Sequence, residues 1–230
     1  TFKVLEKLFL LDSAREAPQT AALHASHSPG LVTLSLLVAF VSTYAAFSMA
    51  QVNRQATSSS HRWVSRLCAS MVLGLGIWAM HFIGMLAMSL PIPVQYDIAL
   101  TAFSILPGIV AAFFALNFWQ APQPKTQHMV SSGALLGIGI AAMHYSGVAA
   151  MQSDAALHMS WPLFAVSLVL GWVLATASFA AQGRAVQKLG SHAAAAWRQH
   201  LLPAVLMTAA IASMHYVAMH AMDLHLPVEA

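Results

Sequence analysis

The sequence predicts an all-α membrane protein, a six-transmembrane-helix bundle built from three helical hairpins. Three observations predict it. The 230 residues are 59% hydrophobic and only 7% charged, whereas a soluble domain carries about a quarter charged residues. The apolar residues gather into six blocks, each close to the ~20 residues that cross ~30 Å of hydrocarbon. From Gly30 onward every Lys, Arg, Asp and Glu falls between those blocks or at their margins.

The elements follow in order. Residues 1–26 form an N-terminal segment. Its apolar stretch at 4–11 is short, is interrupted by Glu6 and Lys7, and lacks a signal-peptide cleavage site. It suits a helix lying in the membrane interface. Residues 27–225 hold the six spans, at 31–51, 66–90, 97–119, 128–151, 161–181 and 201–223. Residues 226–230 are a tail. Polar residues 51–66 part the first two spans, and Pro91-Ile92-Pro93 stops the second. Pro122 and Pro124 separate the third and fourth, and Gln152-Ser153-Asp154 the fourth and fifth. Residues 182–200 form the longest connection. Pro107 kinks the third span, because it lacks an N–H and its ring crowds the preceding turn.

Lys and Arg set the direction of the spans. Arg54, Arg62 and Arg66 flank the first connection, Lys125 lies in the third, and Arg184, Lys188 and Arg198 in the fifth. The even connections and the tail carry Asp97, Asp154, Asp223 and Glu229 instead. Odd connections are therefore expected in the cytoplasm and both termini outside. The net charge of +3 is spread over short loops and gives no nucleic-acid signature. A lone Cys68 excludes an intrachain disulfide and any multi-cysteine metal site within one chain. It reads as a small packed hydrophobe.

Against this apolar background a nine-residue pattern stands out. Met80-His81-Phe82-Ile83-Gly84-Met85-Leu86-Ala87-Met88 ends the second span. Met143-His144-Tyr145-Ser146-Gly147-Val148-Ala149-Ala150-Met151 ends the fourth, and Met214-His215-Tyr216-Val217-Ala218-Met219-His220-Ala221-Met222 the sixth. Each has Met, His, an aromatic ring, a small fifth residue and a ninth-position Met. The copies are offset by 63 and 71 residues. All three histidines sit on out-going spans at a similar depth, near the external end.

Helical spacing places His81, Met85 and Met88 on one stripe, likewise His215, Met219 and Met222, and His144 with Met151. Each leading Met (Met80, Met143, Met214) is rotated about 100° from its His and belongs to an outer shell or packs on a neighbour. The small fifth residues let helix backbones approach. Eight of the thirteen methionines lie in these stretches. A lone membrane histidine often only bonds to a neighbouring helix, and a Met stripe is often packing. Triplication at matched depth favours function. Imidazole and thioether together suit a soft transition metal, copper above all. His220 lies on another face and is a second-site candidate. His24 and His27 precede the first span, where either can cap the site. His158 and His225 read as solvated loop residues. His61, His128, His192 and His200 fall on the cytoplasmic side.

These three Met-His-aromatic copies at the outer ends of alternate spans resemble the MHYT family of bacterial membrane sensor domains. His144-Tyr145 and His215-Tyr216 match the pattern; Phe82 departs at the aromatic, and Ile83, Ser146 and Val217 stand where the family name has Thr. The resemblance implies a signal-input module in the bacterial inner membrane. It implies one or two copper ions near the outer face and a diatomic signal: oxygen, carbon monoxide or nitric oxide. It implies a cytoplasmic output domain that makes or degrades cyclic di-GMP, carried by a longer protein, with a homodimer as a possible assembly. No output enzyme is expected within this chain. A further helix would be needed to reach the cytoplasm from Ala230, so the chain reads as a module of a longer protein or a stand-alone version.

Rival readings remain at this level. Two facing histidines, or a His and a Met, can ligate haem iron, although three equivalent histidines exceed that need. A copper transporter or chaperone-like binder would suit Met-rich outer ends, but the inner halves of the spans offer no ligands. A copper oxidoreductase lacks an acid–base group beside the motifs. A metal-free packing module is the last alternative.

Overall fold

The structure, a computed structural model, describes residues 20–22, 26–55, 58–90, 92–120, 125–152, 156–189 and 193–227. The expected interfacial helix at 4–11, His24 and His192 lie outside the described residues. All six expected spans are helical, so the chain is a multi-pass membrane bundle. In chain order, α1 is Pro29–Gln55, α2 Ser59–Ala87, α3 Ile98–Phe103, α4 Ile105–Trp119, α5 Thr126–Ala149, α6 Trp161–Leu189 and α7 Leu201–His220.

The boundaries differ from expectation for local reasons. Residues 51–66 contain polar side chains but no Pro or Gly, so α1 runs on to Gln55 and α2 begins at Ser59, both beyond their apolar blocks. Residues 182–200 are not a long loop either. The α6 helix continues to Leu189, just before Gly190, and a 3-10 helix covers Ala193–His200. Pro107 interrupts the third span, Ile98–Trp119, at Ser104, which keeps an αR backbone, so the span is kinked as expected. Helix α3 ends at Phe103 and α4 begins at Ile105, where Pro107 cannot donate to the Phe103 carbonyl. At this basic end, Arg66 donates to the side-chain oxygens of Asn117 and Gln120. His200 is buried and hydrogen-bonds Gln182 at 2.9 Å.

The motif end carries strands that hydropathy did not announce: β1 Thr20–Ala22, β2 Ser26–His27, β3 Met88–Ser89, β4 Gln95–Tyr96, β5 Met151–Gln152, β6 Ala156–Met159 and β7 Met222–Pro227. They pair antiparallel as β2–β3, β4–β5 and β6–β7, with β1 added beside β7. Each hairpin is thus a closed strand–helix–helix–strand unit. The register sets His27 opposite Met88, Tyr96 opposite Met151 and Met159 opposite Met222. One backbone bond recurs in all three units. Ser28 N–H donates to Ala87 O at 2.8 Å, Asp97 N–H to Ala150 O at 2.9 Å, and Ser160 N–H to Ala221 O at 2.7 Å. His158 and His225 therefore lie in paired strands, not in loops. Strand β1 ties the end of the N-terminal segment to residues 225–227, so the expected divisions at 26/27 and 225/226 both cut through paired strands.

The out-going helices α2, α5 and α7 all touch one another, and each also touches the in-going helix of the next hairpin: α2 meets α4, α5 meets α6, and α7 meets α1. The ring is closed. Burial follows this plan. In the apolar windows of the out-going spans 50%, 61% and 44% of residues are buried, against 28% in each in-going span. The in-going helices present residues such as Val41, Phe114 and Val169 outward, where acyl chains can cover them.

Candidate metal centre

The axis of the bundle is built from one stripe per out-going helix, at four-residue steps. The stripes read Leu73-Ile77-His81-Met85, Leu136-Ile140-His144-Val148 and Met207-Ile211-His215-Met219. All of these residues are buried except the half-buried Met219. Ile77, Ile140 and Ile211 form the apolar layer one turn below the histidines. Met85 and Val148, with Met219 packed against them, form the layer one turn above.

Between those layers the three imidazoles meet. His81 Nδ1 lies 3.1 Å from His144 Nδ1 and 3.1 Å from His215 Nδ1, and His215 Nδ1 lies 3.3 Å from His144 Nδ1. The rings are nearly perpendicular, with centroids 4.9–5.2 Å apart. Among the described residues this is the group of histidines and acids able to hold a metal ion.

The three Nε2 atoms are buried without a hydrogen-bond partner. Two of them are seated against glycine. A Cβ on Gly84 would meet His215 Nε2 at 2.4 Å, and one on Gly147 would meet His81 Nε2 at 2.4 Å. Gly84 and Gly147, at the fifth motif position, are thus small to seat the ring from a neighbouring out-going helix, beyond merely admitting its backbone. Metal-bound imidazoles usually donate their second N–H to a carbonyl or carboxylate that fixes the ring. Here steric contact does the fixing.

The donor set fits a metal. A neutral imidazole carries one N–H, and three in-plane nitrogens aimed at one point leave room for about one proton among them. Crowding three ring nitrogens together and away from water is costly for a protein-only arrangement. Three nitrogen ligands at about 2.0 Å from a tetrahedral centre stand about 3.3 Å apart, close to the observed separations.

The methionines divide into three groups. Met80, Met143 and Met214 are buried in the main apolar core. The side chain of Met143 lies 3.8 Å from a Cβ built on Gly108, and that of Met214 lies 3.4 Å from one built on Gly171. Met143 and Met214 thus pack within their own hairpins, in keeping with their rotation away from the histidines. Met85, Met219, Met151 and Met222 cluster with Val148, Tyr96 and Tyr145 above the triad. The ninth-position residues Met88, Met151 and Met222 are not on the helical stripe, because each helix has ended and each opens a strand. Met88 is half-buried opposite His27. His27 and His220 are exposed and are not among the convergent nitrogens, although His27 is near enough to His215 to interact with it electrostatically.

Sequence reasoning missed a second repeat. Ser28-x6-Ser35, Asp97-x6-Ser104 and Ser160-x6-Ser167 open the three in-going helices. The first member sits at the helix start, where Ser and Asp are preferred. The second is fully buried in every copy. Seven-residue spacing within the in-going spans was the available signal.

Six apolar helices arranged as three repeated hairpins around a buried histidine triad define a repeat-built, multi-pass membrane domain. The family model described as "Bacterial signalling protein N terminal repeat", MHYT, matches residues 74–132, 137–195 and 209–230. The chain belongs to the MHYT family. Each of the first two repeats begins inside an out-going helix and runs through the next in-going one. The third begins in α7, whose in-going neighbour is α1. The cyclic di-GMP phosphodiesterase NbdA of Pseudomonas aeruginosa is 36% identical over 207 residues, which is 88% of this chain and 25% of that protein. The bifunctional diguanylate cyclase/cyclic di-GMP phosphodiesterase MucR of the same organism is 40% identical over 127 residues, 55% of this chain and 18% of that protein. The signaling protein YkoW of Bacillus subtilis is 25% identical over 209 residues, 88% of this chain and 25% of that protein. The chain spans a quarter or less of the length of these curated relatives. No solved structure gives a significant match.

Proposed function

We propose that this domain is the signal-input module of a cyclic di-GMP signalling protein, that it holds copper at His81, His144 and His215, and that it responds to a diatomic gas or to redox or copper state. The observation that carries the reading is the convergence of three Nδ1 atoms within 3.1–3.3 Å while their Nε2 atoms are orphaned. The thioether cluster above the triad favours copper over zinc, since thioethers are soft donors. When bound, copper would supply a redox couple and an open coordination position for a small ligand.

The chain's own residues make the site directional. The layer of Ile77, Ile140 and Ile211 directly below the triad argues against conduction of a cation, because it offers no donor for the next step. The ring packing argues against haem, since a macrocycle would have to separate rings already in edge contact. Each histidine belongs to a different hairpin. A ligand that prefers one triad geometry therefore biases the mutual placement of all three hairpins, which is the requirement for a switch. The basic connections then face the cytoplasm, where an output domain of a longer protein would read the change.

Metal analysis by mass spectrometry on detergent-purified protein tests the proposal, with a His81/His144/His215 triple alanine variant beside the wild type. One or two copper ions per chain, lost in the variant, support it. Zinc in place of copper would keep the site and remove the redox reading. No metal after anaerobic loading with Cu(I) would overturn it.

A further inference from the structure

We infer that two polar spokes, Tyr216–Ser35 and Trp78–Ser104, position the histidine triad and couple α7 and α2 each to the next hairpin. This rests on the metal-site reading for its consequence but on geometry for its substance. Each histidine stands edge-on to the aromatic ring that follows it, at 4.8 Å for Phe82, 4.9 Å for Tyr145 and 4.7 Å for Tyr216. Such T-shaped pairs have a preferred geometry, so fixing the aromatic ring restricts the imidazole.

The buried serines provide the fixing. Ser35 Oγ donates to Val32 O, Ser104 Oγ to Thr101 O and Ser167 Oγ to Phe164 O, each at 2.7 Å. Their protons are therefore committed to their own helices, and their lone pairs face outward as acceptors. The Tyr216 hydroxyl, 2.9 Å from Ser35 Oγ, must be the donor. In the second copy the Tyr145 hydroxyl is buried without a hydrogen-bond partner, and its ring packs on Phe164 of the next hairpin at 5.3 Å instead. In the first copy Phe82 has no hydroxyl. Trp78, one turn earlier on α2, replaces it. Its Nε1–H lies 3.2 Å from Ser104 Oγ and 3.0 Å from Thr101 O, and its ring packs on Phe82 at 4.9 Å. A departure from the motif is thus compensated on the same helix face, which a packing accident would not require.

Every spoke crosses from one hairpin to the next. The Tyr216–Ser35 spoke closes the ring by joining α7 to α1. A change in triad geometry reaches the outer helices through these hydrogen bonds, and a change in hairpin packing reaches the triad by the same route.

The test uses the full chain with Tyr216→Phe, Ser35→Ala, their combination, and Trp78→Phe as an independent spoke. Tyr216→Phe keeps the ring and matches the natural Phe82. One readout is the affinity and electron paramagnetic resonance spectrum of Cu(II)-loaded protein. The other is the histidine ring 15N resonances of metal-free protein, with His215 assigned by its loss in His215→Asn. Each single variant should fold, bind Cu(II) about fivefold more weakly, the size of one neutral hydrogen bond, and shift the spectrum. The Tyr216→Phe/Ser35→Ala double should be no weaker than either single, while Trp78→Phe should add to Tyr216→Phe. Folded variants with unchanged affinity, spectrum and His215 resonances would overturn the inference. If the wild type takes up no copper, the functional reading fails, and the 15N arm alone decides. Shifted His215 resonances in Tyr216→Phe would sustain positioning, and unmoved ones would end it.

Discussion

Gly84 seats the Nε2 edge of His215. A methyl group there would come within 2.4 Å of that nitrogen, well inside van der Waals contact, and the neighbour that must yield is a buried ring rather than a flexible chain end. Gly84→Ala and Gly147→Ala should therefore rotate or displace the facing imidazole and open the Nδ1 triangle. Copper stoichiometry should fall, and stability should drop by about 1–3 kcal/mol, as for other overpacked interiors. Ala218→Gly is the control: it adds no atoms and should keep the metal. Thermal unfolding and metal content of the three variants check this. Full copper occupancy in both alanine variants would show that the seats are only packing.

The thioethers above the triad should discriminate between metals. Met85 is buried and Met219 is half-buried in the cluster with Val148 and Met222. Leu conserves their volume but removes the soft donor. Met85→Leu and Met219→Leu should leave the fold intact and weaken Cu(I) by about tenfold, the lower end for groups that tune a metal site, with less effect on Zn(II). Competition titrations with a Cu(I) chelator measure the difference. Equal loss for both metals would make these methionines structural.

What the sequence discloses about this site follows from the kind of signal each part leaves. His81, His144 and His215 were legible because an ionisable side chain in an apolar span is conspicuous and was repeated three times. The six spans were legible because hydrocarbon imposes length and polarity at once. Met88, Met151 and Met222 misled, since a helical stripe was extrapolated past the residue at which each helix hands over to a strand. The short ladders at the motif end leave no hydropathy trace, as two residues hold no periodicity. Ser35 and Ser104 were overlooked because a serine in a span is ordinary, and only its partner on another hairpin gives it meaning. Gly84 and Gly147 were read as backbone contacts, and only the fold shows that they face rings.

Asp97 should be the most costly of the helix starts to remove. Its side chain accepts from Leu100 N–H at 2.8 Å, and its own N–H closes the second hairpin onto Ala150 O. Asp97→Ala keeps the backbone bond and loses the cap, which should cost about 1 kcal/mol. Asp97→Asn should be nearly neutral, because the amide oxygen can still accept. A thermal unfolding series in one detergent separates the two. Equal destabilisation by both would assign the effect to the lost carboxylate charge near the helix N-terminus instead.

Pairing of β2 with β3 gives a test of both the strand end and the orientation of the bundle. Ser26 and Ser89 are directly opposite in the antiparallel register, and both are exposed. Opposed residues in such a ladder have Cα atoms about 4.5–5.5 Å apart, within the span of a disulfide. In a Cys68→Ala background, Ser26→Cys with Ser89→Cys should oxidise readily to a disulfide. Ser60, exposed in the first turn of α2, lies at the opposite end of the same helix. If the basic connections face the cytoplasm, a membrane-impermeant thiol reagent added to spheroplasts should label Ser89→Cys and spare Ser60→Cys until the membrane is permeabilised. Labelling of Ser60→Cys alone in intact spheroplasts would invert the bundle and place the histidine triad near the cytoplasmic face. A sensor of external copper would then be untenable, although the triad itself would stand.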